Sequence, residues 1–273
     1  MFAAISGLKS HQTMLDVTAN NIANVNTVGY KASRATFKDS LSQLQIGAAA
    51  PGGGQGGRNA AQVGLGVQIN SIDNLMGSGT LQATGNVTDL AIQGPGMFVI
   101  GAGGTPPALP ANFEYTRAGN FTFDSEGFLT TQNGDFVLGR TAAGAGAPNS
   151  YIQVPEGATD VAIGQDGAVS YVPAGGGARE VAGYLSIATF TNEAGLQRTS
   201  GNRWIESAAS GEAIDGTPGG EFGLTISGTL EMSNVDLATE FTDMIAAQRG
   251  FQANSRVIST ADEMLQDLVN LKR

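Results

Sequence analysis

Two apolar stripes at helical spacing, one at each end of the chain, constrain its fold more than any other feature. The first runs Ile5, Leu8, Leu15, Ala19 and Ile22, with Gln12 in its one polar slot. Its alternating steps of three and four residues are those of a coiled-coil seam. The second lies within residues 233–273 and runs Leu237, Phe241, Met244, Phe251, Ile258, Leu265 and Val269 in the same rhythm. A single amphipathic helix has no core against which to bury its stripe. Each end therefore needs a partner, and the other end supplies one. Gln12, Gln248, Ser255 and Asp262 put polar groups on these seams, where they either fix register in a multi-helix assembly or drift round to face solvent.

The first helix is predicted over residues 3–28. It weakens through Asn20, Asn21, Asn24 and Asn26, whose side chains compete for backbone hydrogen bonds, and Gly29 is a good left-handed stop. Phe37, Leu41 and Leu44 suggest a further helical turn or two. Residues 47–66 read as a Gly-rich linker without periodicity; they lack the Gly-Lys-Ser/Thr ending and preceding strand of a phosphate loop. At the other end, Ser233-Asn234-Val235-Asp236 has the Ser-x-x-Asp form of a helix N-cap. Gly250 inside the closing helix costs roughly 1 kcal/mol against alanine, which a closely packed neighbouring helix would offset.

Between the ends the pattern changes to short strands. Val67 to Ile72, residues 80–84, and residues 89–100 around Gly94-Pro95-Gly96 read as strands. Phe121 and Phe123, a turn at Asp124–Gly127 and a return strand form a hairpin, and a similar unit recurs at 161–171. Residues 184–190 alternate most clearly, and strands at 204–207 and 224–231 follow. A second flexible loop is expected at 141–149. The predicted fold class is α+β. Terminal helices pair as a coiled-coil-like helical domain of residues 1–46 and 232–273; residues 47–75 are a Gly-rich extended connection; and residues 76–231 are a central all-β domain of short strands.

The 273-residue chain carries 14 basic against 24 acidic residues, a net charge of −10, which argues against a nucleic-acid partner or an anionic membrane. There is no cysteine, so disulfides, thiolate metal sites and a Cys nucleophile are excluded. No apolar stretch approaches the ~20 residues of a membrane span, and the start lacks the cationic leader and apolar run of a secretory signal peptide. Forty glycines with only 14% charged residues suit tight turns, or a surface covered by neighbours. His11 is the one histidine and has no cysteine or second histidine in reach, so it reads as an interface or solvent-facing residue. The carboxylates are scattered singly, with no nucleophile elbow or dinucleotide fingerprint. No enzyme, metal or cofactor is expected.

Residues 19–31, ANNIANVNTVGYK, resemble the N-terminal signature of the bacterial flagellar rod and hook axial proteins. DLAIQGPGMF at 89–98 is similar to that family's first β-domain motif, with Met97 where an aromatic is more usual. SGTLEMSNVD at 227–236 and the run from Met244 to Arg273 resemble its closing block. Within the family, the length and central block are similar to distal rod subunits, while the opening and the ending LVNLKR look more like a short-form hook subunit, which is the first reading.

The resemblance implies a structural role without catalysis. Subunits would be exported through the flagellar apparatus without a cleaved signal peptide and would form a homopolymer outside the cell membrane. As a hook, the polymer is a curved tube transmitting torque as a universal joint; as a distal rod, a rigid shaft. Implied partners are other axial proteins of the rod and hook–filament junction, the export apparatus and a hook cap, with no nucleic acid and no membrane insertion. The implied polymer interface comprises Ile5, Leu8, Leu15, Ile22, Asn20, Asn21, Asn24, Gly29 and Tyr30, together with Leu237, Phe241, Met244, Phe251, Ile258, Leu265 and Val269. The rival from another class is a secreted oligomeric adhesin whose helices merely trimerise.

Overall fold

The computed structural model describes residues 2–48, 50, 56–103, 106, 108–110, 112–144 and 149–271. The Gly-rich run at 51–55 and the centre of the loop expected at 141–149 lie outside the described residues. Two compact units emerge: Met1–Ala23 with Ser33–Leu75 and Val235–Arg273, and Asn24–Ala32 with Met76–Asn234. A helix at each end and many short strands between them give the α+β class expected from the sequence.

The first unit holds α1 (Phe2–Ala23), β1 (Ser33–Asp39), β2 (Ser42–Ile46), β3 (Ala61–Gly64), β4 (Val67–Asn74) and α2 (Leu237–Asn270). β1 pairs antiparallel with β4, and β2 with β3. Between these segments the Ser40 amide donates to the Gly66 carbonyl at 2.9 Å and the Leu65 amide to the Leu41 carbonyl at 2.7 Å. The outgoing and returning strands therefore form one long ribbon, bulged at Thr36/Phe37 and at Leu44/Ile46. This corrects the helical turn expected at Phe37, Leu41 and Leu44. Three apolar residues at helical spacing fit a strand equally well, and the partner that decides, Ala61–Asn74, is distant in sequence. The same pairing puts strand where a structureless linker was expected.

Both helix boundaries also differ from expectation. α1 stops at Ala23 instead of reaching residue 28, because residues 24–32 pack into the second unit. The N-cap of α2 is Asp236, whose carboxylate accepts from the Ala238 amide at 2.9 Å; Ser233 lies three residues too early.

In the second unit every ladder among the described residues is antiparallel. The main sheet runs in the order Thr159–Ile163, Ala168–Val172, Glu180–Leu185, Phe136–Arg140, Met97–Gly101, Phe113–Thr116, Arg203–Ile205, Gln197–Arg198. It is covered on both faces. Phe98, Ile100, Val137 and Ile187 join one hydrophobic cluster, while their neighbours Met97, Val99, Leu138 and Ala188 join the other with Tyr115 and Trp204. Burial on both faces explains why Met97–Ile100 is continuously apolar rather than alternating. The hairpins expected at 121–131 and 161–171 form. The alternating run at 184–190 is instead broken at buried Ser186 into two short strands. Leu90–Gln93 and Met97–Gly101 do not pair with each other: the first pairs with Leu224–Ser227, so Gly94-Pro95-Gly96 carries the chain from one sheet to another.

Candidate functional site

The pairing of α1 with α2 fixes the surface that the helices leave for other molecules. Asn254 lies beside Gly7, Gly250 beside His11, and Glu240 beside Asn21, so the helices run antiparallel in one continuous register. A Cβ on Gly7 would come 2.7 Å from the Asn254 amide nitrogen, and one on Gly250 2.6 Å from the His11 ring. The two glycines are what let the backbones approach. The buried face of α1 is small and polar: Ala4, Gly7, Ser10, Thr18 and Asn21. On α2 the side chains turned inward are Glu240, Met244, Ala247, Phe251, Asn254, Ile258 and Ala261, at steps of four and three, with Gly250 beside them.

The apolar stripes of the sequence thus divide in two. Met244, Phe251 and Ile258 lie on the intrachain seam. Leu237, Phe241, Leu265 and Val269 are exposed, as are Ile245, Val257 and Met264. On α1, Leu8, Leu15 and Ile22 are half-buried, Ala19 and Asn20 are exposed, and Ile5 is 42% exposed. Reading by hydrophobicity selects the largest side chains, whereas close approach is built on the smallest; Gly7, Ser10 and Thr18 at helical spacing were the available signal. Gln12, Gln248, Ser255 and Asp262 all face solvent.

In the same register Phe2 falls opposite Ser259. The stepping of α2 nevertheless continues past that point through Leu265 and Leu268, which are 47% and 63% exposed. Leu271 beyond them is 82% exposed. The last three turns of α2 therefore carry an apolar face outside the intrachain pair, and Phe2, 87% exposed, adds to it.

His11 sits inside the pair with its Nδ1 buried and without a hydrogen-bond partner among the described residues, its ring tilted against Phe37 at 6.2 Å. Asn21 donates to Glu240 Oε1 at 2.9 Å. Burial pushes the Glu240 carboxyl above its usual range, opposed by that hydrogen bond.

The Asn-rich motif that follows α1 has a physical role in the second unit. The Thr27 amide and hydroxyl both bond to Asn24, closing a turn. Gly29 adopts φ +66°, and a Cβ there would meet the Ala118 nitrogen at 2.5 Å, so only glycine fits. Tyr30 is buried, with the Arg198 guanidinium 4.2 Å over its ring and 5.5 Å from that of Trp204. Lys31 is fully buried and donates to Glu231 Oε1 at 2.7 Å and to the Gly77 carbonyl at 2.9 Å. Arg117 meets the other carboxylate oxygen of Glu231 at 3.1 Å. Lys31, Arg117 and Glu231 were missed at the sequence level. The available signal was Glu231, an isolated carboxylate ending an otherwise uncharged strand run.

Among the described residues, no His, Asp and Glu cluster could hold a metal, and no helix is long and apolar enough to cross a membrane. The arrangement offers surfaces rather than reacting groups.

Three family models match the chain. These are "Flagella basal body rod protein" over residues 1–31, "Flagellar hook protein FlgE/F/G D1 domain" over 91–171, and "Flagellar basal body rod FlgEFG protein C-terminal" over 226–271. The flagellar basal-body rod protein FlgG of Bacillus subtilis is 48% identical over 276 aligned positions, covering 100% of this chain and 98% of the relative. FlgG of Caulobacter vibrioides is 38% identical, covering 98% and 97%. The flagellar hook protein FlgE of Borreliella burgdorferi is 26% identical over 444 positions, covering 100% and 99%.

Proposed function

The chain belongs to the flagellar rod and hook axial protein family, and we propose that within it the protein is a structural subunit of the distal rod. Copies polymerise into a straight, rigid tube that transmits motor torque, joined at its ends to neighbouring axial proteins. The observation that carries this reading is the end-to-end match with FlgG proteins at nearly equal length. The hook reading, first choice on the opening and closing motifs, fits less well: the FlgE alignment must stretch to 444 positions at 26% identity.

Polymerisation itself is supported by the apolar faces outside the helix pair. Ile5, Leu237, Phe241, Leu265 and Val269 contact neighbouring subunits, whereas Met244, Phe251 and Ile258 hold the subunit's own helices together. Asn21, Asn24, Gly29 and Tyr30 act within the subunit. The chain performs no catalysis and reaches its place in the basal body through the flagellar export apparatus.

Negative-stain microscopy of the purified, concentrated protein tests the reading. Long straight tubes are expected. Curved, flexible tubes would restore the hook assignment, and small closed oligomers would favour a secreted binding module.

A further inference from the structure

We infer that residues 28–32 form a strap that detaches from the β-unit as one piece while the rest of that unit stays folded. The strap contains no strand and contributes no residue to either hydrophobic cluster. Its residues 29–32 are buried, and discrete polar contacts join it to the unit. The Val28 carbonyl accepts from Asn202 Nδ2 at 2.8 Å, the Gly29 amide donates to the Glu231 carbonyl at 2.7 Å, and the Ala32 amide donates to Asn234 Oδ1 at 2.8 Å. Tyr30 adds its contact with Arg198 and a carbonyl that accepts from the Asn234 amide at 3.4 Å, and Lys31 adds its bonds to Glu231 and to the Gly77 carbonyl.

Detachment leaves the charged groups beneath it with partners. Glu231 keeps Arg117 on one oxygen and the Gly79 amide, at 2.9 Å, on the other. Arg117 keeps the Ile92 and Gly94 carbonyls, and the Gly77 carbonyl keeps Asn234 Nδ2 at 3.0 Å. Closure, by contrast, brings a second buried cation to a site with one buried carboxylate. Its desolvation opposes closure. Burial, with the Arg117 charge adding to it and Glu231 opposing, holds the Lys31 ammonium below the usual lysine range. Lys31 therefore weakens the strap it belongs to, while Gly29 makes its seat all-or-none, since any side chain there meets the backbone of Arg117 and Ala118.

Residue-resolved amide hydrogen exchange on the full-length protein, kept dilute enough to stay monomeric, tests this. In the unaltered chain the Gly29 and Ala32 amides are expected to exchange at least about tenfold faster than the Val99 amide of the sheet, reporting opening below the global level. Lys31→Met, which keeps the length and removes the charge, is expected to slow Gly29 and Ala32 by about tenfold and leave Val99 unchanged. Unchanged or faster strap exchange in that variant, or its failure to fold, would overturn the proposal. Gly29→Ala serves as the second variant: strap protection should vanish with Val99 still protected, whereas loss of both would make the strap an inseparable part of the fold.

Discussion

The side chain of Asn21 closes a pair of hydrogen bonds with the backbone of Ser33, donating to its carbonyl at 2.8 Å and accepting from its amide at 3.0 Å. An amide side chain can do this because it carries a donor and an acceptor side by side, as a backbone edge does. The contact ties the last turn of α1 to the first residue of β1. Asn21→Ala should cost the first unit about 1–3 kcal/mol, the penalty for leaving part-buried backbone groups without partners. Asn21→Asp should cost more at neutral pH, since it loses the donor and sets a second carboxylate against Glu240. Denaturant unfolding of the monomer measures both.

Two carboxylates of α2 give opposite pH limbs. Burial raises the folded-state pKa of Glu240 above its ordinary value of 4.5, so its stabilising contribution is fully present below 4.5 and lost as pH rises through the folded value. The cap bonds to Ala238 and Thr239 lower that of Asp236 below 3.8, so its contribution is present above 3.8 and lost as pH falls through the folded value. Stability followed by circular dichroism should therefore rise on acidification towards pH 4.5 and fall below 3.8. Glu240→Gln should remove the first limb alone and Asp236→Asn should flatten the second. A profile unaltered by either substitution would contradict the assignment.

Gly250→Ala sets two effects against each other. Alanine favours the helix by roughly 1 kcal/mol, but its Cβ would come 2.6 Å from the His11 ring, which also neighbours the Phe37 ring. Overpacking of this kind costs about 1–3 kcal/mol, so the net effect should be destabilising. Adding His11→Ala should restore the melting temperature at least to that of His11→Ala alone.

Among the described residues, none of α1 falls opposite Leu268, which is 63% exposed. Leu268→Glu should change monomer stability by no more than about 0.5 kcal/mol, yet prevent growth of tubes at concentrations where the unaltered chain assembles. Sedimentation of the polymer beside monomer unfolding separates the two effects. Loss of monomer stability would place Leu268 inside the subunit's own core.

The sequence by itself determined the terminal helices, the β-rich middle and its hairpin turns. Each rests on a local property: a period of three and four, an alternation of two, or Asp and Gly at turns. Family membership was legible in residues 19–31, although their periodicity suggested only a fraying helix end. Tertiary structure alone decided what that run does, because its partners Glu231, Arg117 and Ser33 are set by folding and not by proximity in the chain. The same holds for Phe37 and Leu44, made strand by a ribbon partner within Ala61–Asn74 that is distant in sequence. It holds also for the helix seam, where Gly7 and Gly250 let two backbones approach, turning Met244, Phe251 and Ile258 inward and leaving Leu237, Phe241, Leu265 and Val269 exposed. A hydrophobic stripe records that burial is needed, but only packing decides whether the covering surface comes from the same chain or from the next.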